Sequence, residues 1–338
     1  MCLTAGALFV SCSKEPSAPP APGPRGALRF EAAPQEGWNS GVKTRAMPVT
    51  TGTFHSSFGV YAASYSSSDG WNPETDFDFM KDVKVSRVNG SGSIYATEEP
   101  YYLPGAGKSL RFFAYAPYDA ADLTSSDPGV LEFIFYTADD VADQTDFCVA
   151  RSADVAGDGD GTVHLDFQHT LVGVRFVTGT VPTGGRLRSL TLRHIRTGAI
   201  LEVPKDGEKP VSWTKWVAGP SIGSWKDLVL PLDVQLSGEA GQAVTGDSET
   251  FLLIPDPTGE SSVVELLYDP DGVEGSGDER TLTAPIGDKG ELDDANMGKI
   301  VTYRVSIAQD ELKLSATIED WTSGGEVDAD ASTTPKAG

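Results

Sequence analysis

The chain has 338 residues, 39% of them hydrophobic, a length that allows one large domain or two ordinary ones. Its 37 glycines and 22 prolines interrupt the sequence too often for long helices, so we expect a turn-rich globular protein. The net charge of −23 opposes contact with polyphosphate backbones, which bind mainly clustered lysine and arginine. We therefore expect no nucleic acid partner.

The N-terminal residues differ in composition from the rest of the chain. A short apolar segment, residues 5–10, precedes Cys12, and a stretch rich in proline, alanine and serine follows. The apolar segment is far too short to span a bilayer. It resembles the end of a bacterial lipoprotein signal peptide with Cys12 as the lipidated residue, although no lysine or arginine precedes it. We predict a signal segment over residues 1–12 and an extended tether over residues 13–26.

Short strand patterns recur along the rest of the chain at the spacing typical of β-sandwiches. Residues 301–307 and 312–321 alternate apolar and polar side chains, and the polar connection between them predicts an antiparallel hairpin with one solvated face. No window shows a sustained helical period. The other predicted strands are residues 28–31, 58–64, 83–88, 110–116, 130–136, 163–167, 171–177, 187–195, 228–232, 250–254 and 263–268.

An acidic, glycine-rich stretch at residues 152–163 divides the chain into two similar halves. We therefore predict an all-β fold with two β-sandwich domains in tandem. The N-terminal sandwich would comprise residues 27–160 and the C-terminal sandwich residues 161–323. Residues 324–338 would form a flexible acidic tail.

A glycine-rich turn carries Gly107, Lys108 and Ser109, which match the second half of a nucleotide-binding loop. The complete motif needs a glycine five residues before Gly107, where Tyr102 stands. It also needs a helix after the serine, whose N-terminal amides hold the phosphates. The aromatic run after Ser109 favours a strand instead. We interpret the segment as a turn that leads into a strand.

Other short motifs lack the context that their chemistry requires. Residues 219–223 place Ser221 in the nucleophile position of G-x-S-x-G, but a strand follows where that motif needs a helix. The acidic loops at residues 158–161 and 269–272 suggest calcium. Their twelfth positions hold a histidine and an arginine instead of the bidentate glutamate. Both loops are typical of β-turns rich in Asp and Gly.

The remaining candidate residues have ordinary structural interpretations. His164 and His169 are five residues apart on what look like successive strands, and at this spacing they face opposite sides of a regular strand. The four histidines (His55, His164, His169 and His194) lack metal-ligand spacing. Cys148 lies in a strand-like run and is interpreted as a small buried residue. We predict no catalytic residue, no metal ligand and no cofactor. A glycan platform would draw on Tyr101, Tyr102, Trp213, Trp216 and Trp225, although such aromatics more often fill a core or its rim.

Several segments follow one another in a characteristic order. After the lipoprotein-like start come GVKTRAMPVT, SFGVYAASY, YYLPGAGKSLRFFAYAPY, DFQHTLVGVRFV, FLLIPDP and MGKIVTYRVSIAQDELKLSATIEDW. This order resembles the fimbrillin (Mfa-like, type V pilin) family of anaerobic Gram-negative bacteria, over roughly residues 8 to 321. The resemblance implies two transthyretin-like β-sandwiches. It also implies export as an outer membrane lipoprotein acylated at Cys12, and a structural, non-enzymatic role in fimbriae and cell adhesion.

The resemblance further implies assembly by donor-strand exchange. A protease cuts after an arginine, the N-terminal strand leaves, and a strand of another subunit fills the groove, which satisfies exposed N–H and C=O groups and an apolar slot. Arg45 is the predicted cleavage site, because it lies in a loop between the first two predicted strands and a cut there frees the first strand. Arg25 and Arg29 lie before or within that strand and fit less well.

The partners implied are other fimbrillin subunits, surface receptors or glycans of host or bacterial cells, and the outer membrane through the lipid anchor. The residues after Trp321 lack the alternating apolar side chains of a donor strand, which favours a tip or accessory subunit over a polymerising stalk subunit. The alternatives are a surface glycan-binding lipoprotein, with exposed aromatics on one loop face, and a secreted hydrolase, with converging carboxylates.

Overall fold

The computed structural model contains an almost wholly β-stranded protein, as the sequence predicts. It describes residues 27–34, 54–88, 92–125, 129–214, 225–246, 249–256, 262–273, 275, 277–308 and 311–320. The helical segments Val141–Asp143 and Asp294–Asn296 are single 3-10 turns. Among the described residues, no helix is long and apolar enough to cross a membrane.

Twenty strands lie in the described ranges, and thirteen of them overlap the strands predicted above. They are β1 (Arg29–Pro34), β2 (Ser57–Ser66), β3 (Met80–Arg87), β4 (Ile94–Thr97), β5 (Lys108–Ala116), β6 (Ala121–Ser125), β7 (Val130–Tyr136), β8 (Cys148–Arg151), β9 (Val155–Ala156), β10 (Thr162–His169), β11 (Val172–Thr178), β12 (Arg186–Arg196), β13 (Gly198–Pro204), β14 (Ser212–Thr214), β15 (Trp225–Gln235), β16 (Phe251–Leu253), β17 (Val263–Asp269), β18 (Arg280–Pro285), β19 (Lys299–Ala308) and β20 (Glu311–Asp320).

The N-terminal sheet closes on itself. Its strand order is β2-β3-β4-β1-β10-β8-β5-β9, and β5 also pairs with β2 from Gly59↔Tyr115 to Ser66↔Lys108. Alternate residues of each strand face opposite sides, so the interior collects one set of apolar side chains. The aromatic members of this interior cluster are Phe30, Phe54, Phe58, Tyr95, Phe112 and Phe167.

The outer face of β2, β5 and β8 packs against a second sheet of order β14-β13-β7-β6. Tyr61 and Tyr115 leave the closed sheet on this side and contact Phe133, at ring centroid distances of 6.3 and 5.1 Å. Phe135 and Phe147 stack at 4.8 Å in the same cluster. The closed sheet therefore has apolar side chains on both faces here, which explains the unbroken aromatic run in β5.

The C-terminal part is a sandwich of two four-stranded sheets, β16-β11-β19-β20 and β15-β12-β17-β18. Their inner faces enclose a third core cluster, in which Phe176 stacks on Tyr303 at 5.5 Å. The predicted hairpin near the C-terminus is confirmed: β19 and β20 pair from Lys299↔Asp320 to Ala308↔Glu311.

Strand pairing crosses the predicted domain boundary at residues 160 and 161. β10, which the sequence places in the C-terminal half, pairs with β1 and β8 of the closed sheet. β13 likewise pairs with β7 along its whole length, from Gly198↔Tyr136 to Pro204↔Val130. Residues on both sides of the boundary thus share a sheet, and the division of the chain into two domains stays a prediction.

We predict that Gly59→Ala destabilises the protein by about 1–3 kcal/mol, the usual cost of overpacking a core. A Cβ at Gly59 would clash with the ring of Tyr115, which is 2% exposed. That ring cannot swing away freely, because its hydroxyl donates a 2.8 Å hydrogen bond to Asp82. Gly207→Ala is the matched control, since no atom lies within 4 Å of the position that its Cβ would take. Equal urea midpoints for both variants would contradict this account.

Candidate assembly interface

The first strand is fully integrated into the closed sheet. β1 pairs in parallel with β10 from Arg29↔Thr162 to Pro34↔Phe167, and antiparallel with β4 at two positions. Its flanks add backbone hydrogen bonds from Leu28 N–H to the Tyr101 carbonyl at 2.8 Å and from Ala32 N–H to the Ser93 carbonyl at 2.9 Å. Both edges of β1 are therefore occupied by neighbouring backbone.

The inward side chains of β1 form part of the hydrophobic core. Leu28, Phe30 and Ala32 are each at most 3% exposed. The ring of Phe30 makes edge contacts with Phe58 at 6.1 Å and with Phe112 at 5.7 Å. Full burial of one such large apolar side chain contributes about 1.5–3 kcal/mol. The core would be incomplete without this strand.

The outward side chains of β1 make exposed polar contacts that follow its register. Glu31 lies 3.2 Å from His164, and Arg29 donates a 2.9 Å hydrogen bond to the Thr162 hydroxyl. Hydrogen bonds from the backbone N–H and hydroxyl of Thr162, with Arg29 nearby, hold the pKa of Asp160 below its usual range. Exposed pairs of this kind contribute little stability, so the strand is held mainly by its backbone and its inward side chains.

Removal of β1 would open a slot of defined chemistry. The facing edge of β10 would lose its partner along the length of β1, and the facing edge of β4 would lose it at the two positions where these strands pair. The rings of Phe58 and Phe112 would be uncovered at the bottom. Unpaired strand edges above an apolar floor bind another extended segment, because that segment satisfies both.

Both predicted processing residues lie outside the described residues. Cys12 precedes the first described range, and Arg45 lies between Pro34, where β1 ends, and Phe54, where the described residues resume. Ser221 and Trp216 also lie outside them. Lipidation at Cys12 and cleavage after Arg45 stay predictions.

The glycine-rich turn is confirmed as the start of a strand. Gly107 has a φ of 79°, in the left-handed region that favours glycine, and Lys108 is the first residue of β5. Ser109 pairs with Tyr65 and with Ala156 in the sheet. The backbone at this point therefore offers no helix N-terminus to a phosphate.

The two acidic loops are turns closed by their own side chains. The Asp160 carboxylate accepts the N–H of Thr162 at 2.9 Å, and the Asp269 carboxylate accepts the N–H of Gly272 at 2.9 Å. Asp269 also accepts a 2.7 Å hydrogen bond from Arg188. These carboxylates are thus engaged with protein donors, as the β-turn interpretation expects.

His164 and His169 face opposite sides, as predicted, but both lie on the single strand β10 and not on two successive strands. His164 is exposed beside Glu31, whereas the side chain of His169 is 3% exposed and lies 2.7 Å from Asp146. Cys148 is fully buried, also as predicted, and burial raises the pKa of its thiol well above the usual range, with Asp146 adding to the shift. The sequence did not reveal that Cys148 and His169 are in contact. Cys148 Sγ lies 3.2 Å from His169 Nδ1.

Three of the five aromatic residues considered for a glycan platform have separate partners, whereas Tyr102 is 52% exposed and Trp216 lies outside the described residues. Trp213 is buried and donates a 2.6 Å hydrogen bond to the Thr170 carbonyl. Tyr101 packs beside Phe79 at 5.8 Å, and Trp225 stacks on His194 at 4.4 Å. Trp213, Tyr101 and Trp225 thus pack within the core or at its rim, as the sequence analysis favours over a glycan platform.

Comparison with known proteins identifies the family. A family model described as fimbrillin-like matches residues 44–321. The chain belongs to the fimbrillin-like family. No curated protein matches the chain. Membership in this family indicates a fimbrial, cell-surface protein and a structural role.

The fold is similar to solved structures from Bacteroides species. A fimbrial protein from Bacteroides vulgatus has 17% identity and a TM-score of 0.59, with 88% of this chain and 99% of that chain covered. Candidate cell adhesion proteins from Bacteroides uniformis and Bacteroides ovatus have 17% and 16% identity and TM-scores of 0.51 and 0.52. Each match covers 88% of this chain and 98% of theirs. At these identities the likeness shows the fold alone.

We predict that Phe30→Ala lowers the free energy of unfolding by about 3–5 kcal/mol, the usual cost of deleting a buried phenylalanine. The loss should also loosen β1, giving faster amide hydrogen exchange across β1 and β10 than in the parent chain. Ala33→Ser is the matched control, because Ala33 lies on the outward face of the same strand. Urea unfolding that does not distinguish the two variants would contradict the role given to Phe30.

Proposed function

We propose that this chain is a fimbrial subunit, in a tip or accessory position, that assembles by donor-strand exchange with β1 as the replaced strand. The observation that carries the proposal is the position of β1. It is the first strand of the described chain, yet it lies between β4 and β10 with its inward side chains in the core. A partner's strand that takes this position gains every contact that β1 makes.

The geometry of the slot specifies the strand that fits it. An incoming segment must run parallel to β10 and antiparallel to β4 to reproduce the hydrogen bonds of β1. It must also place apolar side chains at alternate positions, with an aromatic residue opposite Phe58 and Phe112. Alternation has to be in register, since a shift by one residue would turn the polar side chains inward.

Cleavage after Arg45 supplies the trigger in this proposal. In the intact chain, residues 35–53 connect β1 to the rest of the protein. The strand is thus held at a high effective concentration, with which a strand from another molecule cannot compete. A cut within this connection turns β1 into a separate peptide and leaves the pairing among the remaining strands unchanged. Exchange then depends only on which strand binds the slot better.

Two further features belong to the same proposal. An acyl anchor at Cys12 would bring the subunit to the outer membrane before assembly and would be removed with the fragment that contains β1. The residues after Trp321 lack the alternation that the slot requires, which supports a subunit that accepts a strand without donating one. Adhesion through receptors or glycans completes the function proposed.

We predict that mild trypsin releases a fragment ending at Arg45 and creates an acceptor for β1-like peptides. After trypsin is inhibited and the fragment is separated in mild urea, a fluorescent peptide of residues 27–36 should bind the cut protein one to one. The same peptide carrying Phe30→Asp should not bind, because a charge would enter the apolar slot. Fluorescence anisotropy measures both.

Arg45→Ala is the control for the cleavage site, and Arg25→Ala is its matched partner. The parent and both variants in this test carry Lys43→Gln, because trypsin would otherwise also cut after Lys43 in the same connection. In that background Arg45→Ala should stay uncut in this connection, remain monomeric and reject the peptide, whereas Arg25→Ala should behave as the parent chain. A trypsin-treated parent that keeps residues 27–34 bound and rejects the peptide would sink the proposal. So would an Arg45→Ala chain that binds the peptide equally well.

We also predict that Cys12 is acylated and that the preceding residues are removed. One acyl chain anchors a protein only marginally, and stable attachment needs more than one, as a lipidated N-terminal cysteine carries. Mass spectrometry of the membrane fraction should find Cys12 modified, and Cys12→Ser should move the protein to the soluble fraction. An unmodified N-terminus in the membrane fraction argues against this anchor.

A further inference from the structure

Three potential metal ligands meet at a buried position where β8 lies beside the end of β10. They are the carboxylate of Asp146, the thiol of Cys148 and the imidazole of His169. Asp146 Oδ2 lies 2.7 Å and Cys148 Sγ lies 3.2 Å from His169 Nδ1. All three donor atoms lie within 4.8 Å of one another, and all three residues are buried. The cluster takes no part in the strand exchange proposed above.

The backbone holds these side chains in place. His169 and Cys148 are direct partners in the β8–β10 pairing, so their side chains are neighbours in the sheet. The next residue, Thr170, donates both its N–H and its hydroxyl to the Phe147 carbonyl, at 3.1 and 2.6 Å. These bonds fix the segment that contains Asp146 and Cys148 against the one that contains His169. The donor atoms are therefore brought together by the fold itself.

The chemistry and spacing of this set suit a zinc ion. Thiolate, imidazole and carboxylate are the three side-chain ligand types of Zn²⁺, with bonds of about 2.0–2.3 Å, so ligand atoms around one ion lie roughly 3–4 Å apart. The distance of 3.2 Å between Cys148 Sγ and His169 Nδ1 lies within this range. The distance of 2.7 Å between Asp146 Oδ2 and His169 Nδ1 is slightly shorter, and a small outward movement of the side chains makes room for the ion. A thiolate among the ligands disfavours Mg²⁺ and Ca²⁺, which prefer oxygen.

The charges of the ligands also favour a divalent ion such as Zn²⁺. Two anionic ligands, the Asp146 carboxylate and the Cys148 thiolate, neutralise a divalent cation, and a buried site tolerates a neutral group far better than a net charge. Binding replaces water ligands of the ion by Sγ, Nδ1 and Oδ2, and one retained water molecule completes the tetrahedral coordination. Binding also releases to solvent the thiol proton and any proton on Nδ1.

A neighbouring histidine extends the polar environment of the cluster. The His55 imidazole Nε2 lies 3.1 Å from the backbone carbonyl oxygen of Asp146. Groups that hydrogen-bond around metal ligands orient them and tune their affinity. We propose that Asp146, Cys148 and His169 form a structural binding site for one Zn²⁺ ion.

The position of the site gives the ion a mechanical role. His169 ends β10 in the closed sheet, and β11 of the C-terminal sandwich begins at Val172. Gly298, next to β19, donates its N–H to the Leu171 carbonyl at 2.9 Å and lies against the His169 side chain. An ion here would tie two segments together at the connection between the two sheets. It would stiffen a subunit through which force passes.

Cobalt substitution tests the proposal on the full chain. The parent for the test carries Cys2→Ser and Cys12→Ser, which leave Cys148 as its only thiol. After treatment with a chelator under reducing conditions, titration with Co²⁺ should give one ion per chain. We expect a thiolate-to-cobalt absorption band in the near ultraviolet and visible bands of tetrahedral intensity. Zn²⁺ should displace the cobalt and raise the melting temperature by roughly 5 °C at saturation.

Variants identify the ligands. Cys148→Ser should abolish the thiolate band, and His169→Gln and Asp146→Asn should each weaken Zn²⁺ binding at least about tenfold. His164→Gln is the matched control, because His164 lies on the same strand but faces solvent, and it should bind as the parent does. Absence of the band in the parent, a band that survives Cys148→Ser, or equal losses with His164→Gln would each overturn the site.

The test remains decisive if a ligand variant fails to fold. Circular dichroism identifies a variant that has not folded. X-ray absorption spectroscopy of the Zn²⁺-loaded parent then takes the place of the binding measurement on that variant. One sulfur neighbour together with at least one imidazole supports the site. A shell of oxygen and nitrogen without sulfur contradicts it, because Cys148 would then not be a ligand.

Discussion

The parallel pairing of β1 with β10 is the interaction on which the closed sheet depends. It joins residues far apart in sequence, such as Arg29 and Thr162, and the other strands of the closed sheet all lie between β1 and β10 in the chain. Parallel neighbours cannot be joined by a tight turn, so β1 is not linked to β10 by a hairpin. Because no hairpin connects β1 to its neighbours in the sheet, removal of β1 would break no other strand. β1 is thus part of the core, although no hairpin joins it to either of its neighbours, β4 and β10.

The three core clusters are connected by strands that return across the chain. β13 and β14 follow β12 of the C-terminal sandwich, yet β13 pairs with β7 beside the closed sheet and β14 pairs with β13. Leu252 and Ile300, which border the C-terminal sheet, belong to the same cluster as Phe133 and Phe147. Force applied at one end would therefore pass through packed side chains as well as through chain crossings, which among the described residues include residues 169–172 and Thr197. A structure of this kind suits a protein that works within a fibre, because its parts cannot separate at one linker.

Sequence patterns predicted the fold class and the strongest strands, since alternation within a strand is a local property. Residues 130–136 match β7 at both ends, and the C-terminal hairpin has the predicted partners. β13 was missed because Thr197 alone separates it from β12, so the sequence contains no turn signal there. Pairing across residue 160 and the meeting of Asp146, Cys148 and His169 depend on contacts between distant segments. Periodicity carries no information about such contacts.

The charge of the protein restricts how copies of it can associate. A net charge of −23 makes two copies repel each other at long range, so attraction must come from short-range apolar contact and backbone pairing. The edge strand β15 is unsuited to this, because Pro231 lacks an N–H and interrupts a continuous ladder. Edge strand β20 carries exposed Lys313 beside Glu311. Charged side chains on an edge strand also disfavour pairing with another chain. The slot beneath β1 combines an apolar floor with two unpaired edges only after β1 has left, which would confine association to processed molecules.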